Sequence, residues 1–285
     1  MIYLKDFTLP SIEEEERANS TFCSIYPFGF FPQKKLSKIN FSDITIFYGN
    51  NGSGKSTLLN CISKKLDLPR KTYLHNTSFF DLYVNICKYT LSKDEEGLNT
   101  KIPKGSKIIA SEDIFDNILS TRIENMKIDE REQIKEKEYL DAKYSKIDFS
   151  DYDRLSLQNE ARSKSLRKFV TKRVGIPLNE FSNGETALSY FNKEFLSGNL
   201  YLLDEPENSL SPEFQIELAK LIIECTFYCD CQFIIATHSP FILSLKDATI
   251  YDLSTTPSKV KPWYMLDNMK IYYKFFSQNS NYFKE

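Results

Sequence analysis

Residues 44–57 read ITIFYGNNGSGKST, an apolar run that leads into a glycine-rich turn. Gly49, Gly54, Lys55 and Ser56 match the spacing G-x-x-x-x-G-K-[ST] of a phosphate-binding loop, which joins a strand to a helix. Glycines let successive backbone N–H groups turn towards phosphate oxygens, the lysine reaches the terminal phosphates, and the hydroxyl beside it is a ligand for Mg²⁺. The motif predicts binding of ATP or GTP with Mg²⁺ through residues Gly49, Asn50, Asn51, Gly52, Ser53, Gly54, Lys55, Ser56 and Thr57.

The composition is that of a soluble globular protein. The chain has 285 residues, 41% of them hydrophobic, and its 37 basic and 39 acidic side chains give a formal net charge of −2. A nearly neutral chain has no global attraction for nucleic acid or for an acidic membrane. No apolar run approaches the roughly 18 to 20 residues of a spanning helix, and the first residues contain no apolar signal core. We expect a cytoplasmic protein without direct membrane insertion, whose six cysteines are plain thiols.

Apolar runs that alternate with helical patterns predict the fold class. Helices are expected over Lys55–Lys65 and Pro212–Thr226. Strands are expected over Ile2–Leu9, Phe22–Pro27, Ile39–Tyr48, Lys107–Ala110, Leu200–Leu203, Gln232–Thr237 and Ala248–Leu253. Strands that alternate with helices are typical of a parallel sheet. The prediction is an α/β P-loop NTPase: a single domain over residues 1–285, with a mainly parallel sheet, N-terminal antiparallel strands and an inserted helical lobe over residues 112–180.

The expected lobe ends in a run of basic residues. Its members, with no acidic residue among them, are Arg162, Lys164, Arg167, Lys168, Lys172 and Arg173. Such a run is either a solvated helix face or a patch that binds the phosphates of a nucleic acid. The sequence leaves both interpretations open.

Two carboxylates and a histidine follow further apolar strands. Residues 200–205 read LYLLDE, and an acidic partner of the metal is expected at the carboxyl end of a strand beside the phosphate-binding loop. Asp204 is predicted to bind Mg²⁺ together with Ser56, and Glu205 to act as general base for the attacking water. Lys55 is predicted to neutralise charge during hydrolysis. His238, in ATHSP after the next apolar strand, is predicted to reach the γ-phosphate.

Four motifs in this order resemble the ATP-binding-cassette (ABC) ATPases: GNNGSGKST at 49–57, FSNGE at 181–185, LYLLDEPENSLSP at 200–212 and IIATHSPF at 234–241. Within that superfamily the chain is most similar to the SMC, RecF and OLD branch, whose members are often labelled AAA-family ATPases. The resemblance implies a fold of ABC type and a head-to-tail homodimer with two ATP molecules between the subunits. It also implies that Ser182 and Gly184 of one subunit cap the γ-phosphate held by the other, and that Asn183 and Glu185 of the same motif belong to the nucleotide-binding residues.

The chain departs from the family pattern in two places. The family carries a glutamine between the phosphate-binding loop and the signature, whereas here no glutamine occurs between Gln33 and Gln133. Glu112, directly after the strand KIIA, is predicted to take its place as a metal ligand, with an exposed acid at a helix start as the alternative. The aromatic side chain that stacks on adenine is also undetermined, because Phe22, Tyr26 and Phe28 are all candidates.

The resemblance implies an ATP-hydrolysing head that acts as a switch. The expected partner is a nucleic acid or a separately encoded effector protein, as in DNA repair or phage defence. The alternative is the nucleotide-binding subunit of an ABC transporter. The chain itself contains no second set of catalytic residues that would add a nuclease activity.

Overall fold

The computed structural model describes residues 1–18, 25–72, 77–93, 97–146, 151–174 and 182–283. The strands are β1 Leu4–Thr8, β2 Lys38–Asn40, β3 Ile44–Tyr48, β4 Lys88–Leu91, β5 Lys107–Ala110, β6 Leu200–Asp204, β7 Gln232–Ala236, β8 Thr249–Asp252 and β9 Lys259–Val260. The helices are α1 Ile12–Ala18, α2 Phe30–Gln33, α3 Lys55–Lys65, α4 Ser78–Ile86, α5 Ser111–Tyr144, α6 Tyr152–Ser163, α7 Leu166–Val174, α8 Asn183–Glu194, α9 Pro212–Tyr228, α10 Pro240–Leu243 and α11 Asp267–Gln278.

A six-stranded sheet in the order β5-β6-β7-β3-β8-β9 forms the centre of the fold. All of its neighbouring strands are parallel except β8 and β9, which are antiparallel. Every residue of β3, β6 and β7 is buried, as expected for apolar strands that are covered on both faces. The register pairs Ile46 with Ile235 and Leu203 with Ile235, so β3, β6 and β7 end at the same edge of the sheet. The predicted α/β fold with a mainly parallel sheet is confirmed.

A second sheet is antiparallel and has the order β2-β1-β4, in agreement with the predicted N-terminal antiparallel strands. The single strand expected over Ile39–Tyr48 is wrong, because residues 41–43 interrupt it and separate β2 from β3. The Ser42 N–H donates to Thr45 Oγ1 at 3.0 Å and the Ser42 hydroxyl donates to the Ile44 carbonyl at 2.7 Å. These local side-chain bonds compete with the ladder, so the chain moves from one sheet to the other at this point.

The strand expected over Phe22–Pro27 is also wrong where it is described. Residues 22–24 lie outside the described residues, and the segment from Ile25 onwards turns. The Phe28 N–H donates to the Ile25 carbonyl at 3.0 Å, and the Phe30 N–H donates to the Pro27 carbonyl at 3.1 Å. Proline has no N–H to give to a ladder, which favours a turn over a strand here.

The chain divides into two compact units, Met1–Phe115 with Asn183–Glu285, and Asp116–Ser182. The first unit contains both sheets. The second contains α6, α7 and most of α5, and its own core consists of Tyr139, Ala142, Ala161, Phe169 and Val170. The lobe boundaries at 112 and 180 and the single-domain organisation stay predictions.

Within the second unit, Glu160 forms ion pairs with three of the six residues of the predicted basic run. Its carboxylate lies 2.6 Å from Lys164 Nζ, 2.5 Å from an Arg173 Nη and 3.6 Å from Lys172 Nζ. The hydrogen bond from Lys164, followed by that from Arg173, lowers the pKa of Glu160 to about 2. Arg162 donates to the backbone carbonyls of residues 143 and 145. Four of the six basic side chains therefore make contacts within the unit.

The described cysteines are free thiols. Among the described residues, no group of three or more His, Cys, Asp or Glu side chains forms a metal-binding cluster. No described helix is long and apolar enough to cross a membrane.

Candidate nucleotide-binding site

The glycine-rich loop joins the buried end of β3 to the start of α3. Gly52 and Gly54 have φ of 76° and 96°, in the left-handed region that favours glycine. A Cβ added at Gly54 would lie 2.5 Å from Phe30 Cε1, and one at Gly49 would lie 2.5 Å from Ser53 Oγ. The positive φ at Gly52 and Gly54 and the close contact at Gly54 therefore favour glycine in this loop, and α3 begins at Lys55 as predicted from the sequence.

Lys55 is buried at the base of this loop. Its Nζ donates to the Gly49 carbonyl at 2.9 Å and lies 2.6 Å from His238 Nε2 and 3.6 Å from Glu205 Oε1. Burial lowers the pKa of Lys55, while the nearby Glu205 charge opposes that effect. Burial and the Lys55 charge also lower the pKa of His238. The ring of His238 is therefore neutral at pH 7, and its Nε2 accepts a hydrogen bond from the ammonium group.

Ser56 and Asp204 form a second pair at the same sheet edge. The Ser56 hydroxyl donates to Asp204 Oδ1 at 2.9 Å. Asp204 is buried, and desolvation raises its pKa to about 6, while the Ser56 hydrogen bond acts in the opposite direction. A hydroxyl and a carboxylate are hard oxygen ligands of the kind Mg²⁺ prefers. A bound cation would favour the ionised carboxylate, so the two side chains fit a magnesium site.

Glu205 follows Asp204 with a φ of 48°, an uncommon backbone conformation for a residue with a side chain. Its N–H donates to the Ala236 carbonyl at 2.9 Å, which holds the backbone against the end of β7. The Asn208 amide donates to Glu205 Oε2 at 3.0 Å, and Glu205 Oε1 lies 3.5 Å from His238 Nε2. The hydrogen bond to Oε2 therefore fixes the carboxylate, and Oε1 faces Lys55 and His238.

Glu207 is a site residue that the sequence reasoning missed. Its Oε1 accepts three hydrogen bonds, from Thr237 Oγ1 at 2.6 Å, the His238 N–H at 2.7 Å and the Ser239 N–H at 3.1 Å. Burial raises the pKa of this carboxyl, and these bonds oppose the shift. Glu207 thus holds the loop that carries His238. The only sequence feature that points to Glu207 as a site residue is its position two residues after Glu205, in LDEPEN.

Arg70 was also missed. Its Nη1 donates to Asn60 Oδ1 at 2.7 Å, and its Nη2 lies 3.9 Å from Glu112 Oε2. The Arg70 charge lowers the pKa of Asp204 and the Glu112 charge raises it, both as smaller effects than burial. Glu112 therefore lies near Asp204 and Arg70, but its side chain is 61% exposed. Its assignment as a metal ligand stays a prediction.

The signature residues stand at the beginning of α8, which starts at Asn183. Ser182, Asn183 and Glu185 are exposed, whereas Gly184 is buried. A Cβ added at Gly184 would lie 2.2 Å from Phe214 Cδ2, so this glycine lets α8 approach α9 closely. Phe181, the first residue of the motif, lies outside the described residues.

The three aromatic candidates for adenine stacking differ in their surroundings. Phe22 lies outside the described residues. Phe28 is buried, and its ring packs edge-on against Tyr83 with centroids 5.3 Å apart. The Tyr26 hydroxyl makes a hydrogen bond with Thr57 of the phosphate-binding loop, and 51% of this residue is exposed. Of the two described candidates, Tyr26 is the one whose ring is both accessible and next to the loop.

Residues 78–244 match the AAA_21 family model, whose description is "AAA domain, putative AbiEii toxin, Type IV TA system". An uncharacterized ABC transporter ATP-binding protein of Methanocaldococcus jannaschii is 26% identical over 236 residues, which cover 79% of this chain and 81% of that protein. Among solved structures, the SMC head domain from Thermotoga maritima gives a TM-score of 0.39 at 14% identity, covering 91% of this chain and 98% of that one. The Smc head domain of Pyrococcus furiosus, bound to the C-terminal domain of ScpA, gives 0.44 at 15% identity, covering 96% and 100%.

Proposed function

The chain belongs to the AAA domain family that residues 78–244 match, and we propose that it is an ATP-hydrolysing head that associates head to tail with a second head when ATP binds. Membership confirms the resemblance to ABC-like AAA ATPases. The observation that carries the proposal is the meeting of Lys55, Ser56, Asp204, Glu205 and His238 at one edge of the parallel sheet. Nucleotide sites of open α/β sheets lie at this edge, beyond the carboxyl ends of the strands.

The proposed reaction is attack of a water molecule on the γ-phosphorus of ATP. The bond from that phosphorus to the bridging oxygen of ADP breaks, and a proton of the water passes to Glu205 Oε1. The hydrogen bond from Asn208 holds Oε2, which leaves Oε1 to accept the proton. Lys55 neutralises charge on the phosphates, and His238 orients the Lys55 ammonium group by accepting its hydrogen bond. Mg²⁺, held by Ser56 and Asp204 with Glu112 nearby, would polarise the phosphate oxygens.

The proposed binding residues follow the loop and the signature. The backbone from Gly49 to Thr57 receives the phosphates, and Tyr26 stacks on the adenine. In the dimer, Ser182, Asn183, Gly184 and Glu185 of the partner cap the γ-phosphate. The start of α8 supports this role, because a helix N-terminus with an exposed hydroxyl beside it complements an anion.

We propose an effector protein, rather than a nucleic acid, as the partner of the switch. The family that the chain matches is described as a putative AbiEii toxin of a Type IV TA system. Glu160 and two backbone carbonyls occupy most of the basic run that a nucleic acid would need. Reversing the charges of the exposed Arg167 and Lys168 should therefore leave DNA and RNA affinity at low salt unchanged. A large loss of affinity would restore the nucleic-acid role.

A transporter subunit is the second candidate, favoured by the name of the M. jannaschii relative. Such a subunit would work on the inner surface of a membrane with a separately encoded spanning partner. A neighbouring gene that encodes several spanning helices, and whose product copurifies with this chain, would support it. Either candidate fits a cytoplasmic location, where free thiols stay reduced.

ATP turnover and ATP affinity of four proteins test the proposed chemistry. Glu205→Gln should keep its affinity within about 3-fold and lose turnover by roughly 10²-fold or more, because the general base is gone. Lys55→Ala should lose both ATP affinity and ATP turnover. Glu217→Gln, on the exposed face of α9, is the matched control and should behave as the unsubstituted chain. Full turnover by Glu205→Gln would contradict the assignment.

A further inference from the structure

The C-terminal segment Trp263–Phe283 carries an unusual number of exposed aromatic side chains. We name it the aromatic arm; it contains a 3₁₀ turn at Trp263–Met265, α11, and a 3₁₀ turn at Ser280–Phe283. Leu266 and Met269 are its buried hydrophobic residues. The exposed ones are Trp263 (41%), Tyr264 (59%), Met265 (50%), Ile271 (62%), Tyr272 (46%), Tyr273 (77%), Phe275 (58%), Phe276 (53%), Tyr282 (87%) and Phe283 (69%).

The apolar and polar residues of α11 occupy different arcs of the helix, except for Asn268, which lies within the apolar arc between Phe275 and Tyr272. At 100° per residue, Met269, Tyr272, Tyr273 and Phe276 fall on one side, and Ile271 and Phe275 extend that side. The opposite arc holds Asp267, Lys270, Lys274, Ser277 and Gln278. A helix that is apolar over more than half of its circumference is normally buried against other structure. In α11, Met269 is the buried side chain of this arc, and its other apolar side chains are exposed.

The exposed area is that of a protein interface. An aromatic side chain offers roughly 150–250 Å², so the eight partly exposed aromatic residues of the arm present roughly 900 Å². The largest apolar patch of an ordinary monomer is about 300–600 Å². A stable interface buries about 800 Å² on each partner. The arm therefore exposes enough aromatic surface for one side of a stable dimer when the apolar arc of α11 and both flanking turns take part in the contact.

We propose that the aromatic arms of two copies of this chain pack against each other and form an ATP-independent homodimer. A two-fold arrangement of antiparallel helices places the same apolar arc on both sides of the contact, so the surface is complementary to itself. Lys270 and Lys274 lie on the opposite arc and stay in water, so the pairing brings no like charges together. This interface is separate from the proposed ATP sandwich and does not depend on it.

The base of the arm lies next to the nucleotide site. The Asn268 N–H donates to the Tyr48 hydroxyl at 3.3 Å, and Tyr48 directly precedes the glycine-rich loop. The Tyr48 ring also meets the His238 ring edge-on, with centroids 6.5 Å apart. A dimer held by the arms keeps a second head at high effective concentration, whether or not ATP is bound.

Light scattering coupled to size exclusion, on the full chain without nucleotide at about 1 to 50 µM, tests this proposal. The expected mass is twice 33.2 kDa. Tyr273→Glu with Phe276→Glu should raise the dissociation constant about 100-fold or more and give a monomer, because central aromatic residues dominate interfaces. The matched control is Lys270→Glu with Lys274→Glu on the opposite arc, which should leave the dimer intact.

Both substituted pairs are exposed, so their thermal unfolding, followed by circular dichroism, should match that of the unsubstituted chain. A monomer of the unsubstituted chain at 50 µM would overturn the proposal. A mass that keeps rising beyond the dimer, or a dimer that survives Tyr273→Glu with Phe276→Glu, would also overturn it. Because nucleotide is absent throughout, none of these outcomes bears on the proposed ATP chemistry.

Discussion

Replacing Asp204 with asparagine should make the protein more stable while it removes a ligand of the proposed magnesium site. Burial raises the pKa of Asp204 from 3.8 to about 6, so keeping this carboxylate ionised lowers the free energy of unfolding. This loss in the free energy of unfolding grows as pH rises from 3.8 towards 6 and is constant above that range. From this shift it is less than about 1 kcal/mol at pH 4 and roughly 3 kcal/mol at pH 8. Asparagine can still accept the hydrogen bond from Ser56, so the substitution removes the charge alone.

Urea denaturation of the nucleotide-free protein at pH 4 and pH 8 provides the measurement. At pH 8, Asp204→Asn should raise the free energy of unfolding by up to about 3 kcal/mol, and at pH 4 the gain should nearly vanish. The exposed Asp116→Asn is the control, for which no gain is expected at either pH. Mg²⁺ should no longer increase ATP affinity in Asp204→Asn. A variant that is equally stable or less stable than the unsubstituted chain at pH 8 would refute the reasoning.

Two further substitutions test contacts that the structure adds to the motifs. Gly184→Ala should lower the free energy of unfolding by about 1–3 kcal/mol, because its Cβ would overlap Phe214, and Phe214→Leu in the same chain should recover most of the loss. Equal stability of Gly184→Ala in urea would show that α8 and α9 do not meet closely. Glu207→Ala should reduce kcat about 10-fold with a smaller change in KM for ATP, since the loop that carries His238 loses three hydrogen bonds. Steady-state kinetics that show the reverse pattern, a KM effect alone, would contradict this positioning role.

Local patterns predicted the elements that carry the residues proposed to bind phosphate. The helix Lys55–Lys65 begins and ends where it was predicted. Gly54 and the apolar spacing after it determine where this helix can begin. The buried strands β6 and β7 were also predicted, since apolar runs of five residues between turns have few alternatives. Strand ends then placed Asp204 and His238 at one edge of the sheet.

The contacts between distant segments were not predictable in the same way. Glu207 acts through Thr237, His238 and Ser239, and Arg70 lies near Glu112; a single sequence does not show that these segments meet. The split of Ile39–Tyr48 depends on hydrogen bonds of Ser42 and Thr45, which compete locally with the β-ladder. The apolar pattern alone cannot separate two short strands that belong to different sheets.

Measuring the mass of Glu205→Gln with and without Mg-ATP is the sharpest test of the proposed head-to-tail dimer. It is best measured in a chain that also carries Tyr273→Glu and Phe276→Glu, so that only ATP-dependent association is observed. We expect 33.2 kDa without nucleotide, twice that mass with Mg-ATP, and a monomer again when Ser182→Arg is added. A chain that binds ATP yet stays monomeric, or a dimer that survives Ser182→Arg, would contradict the head-to-tail site.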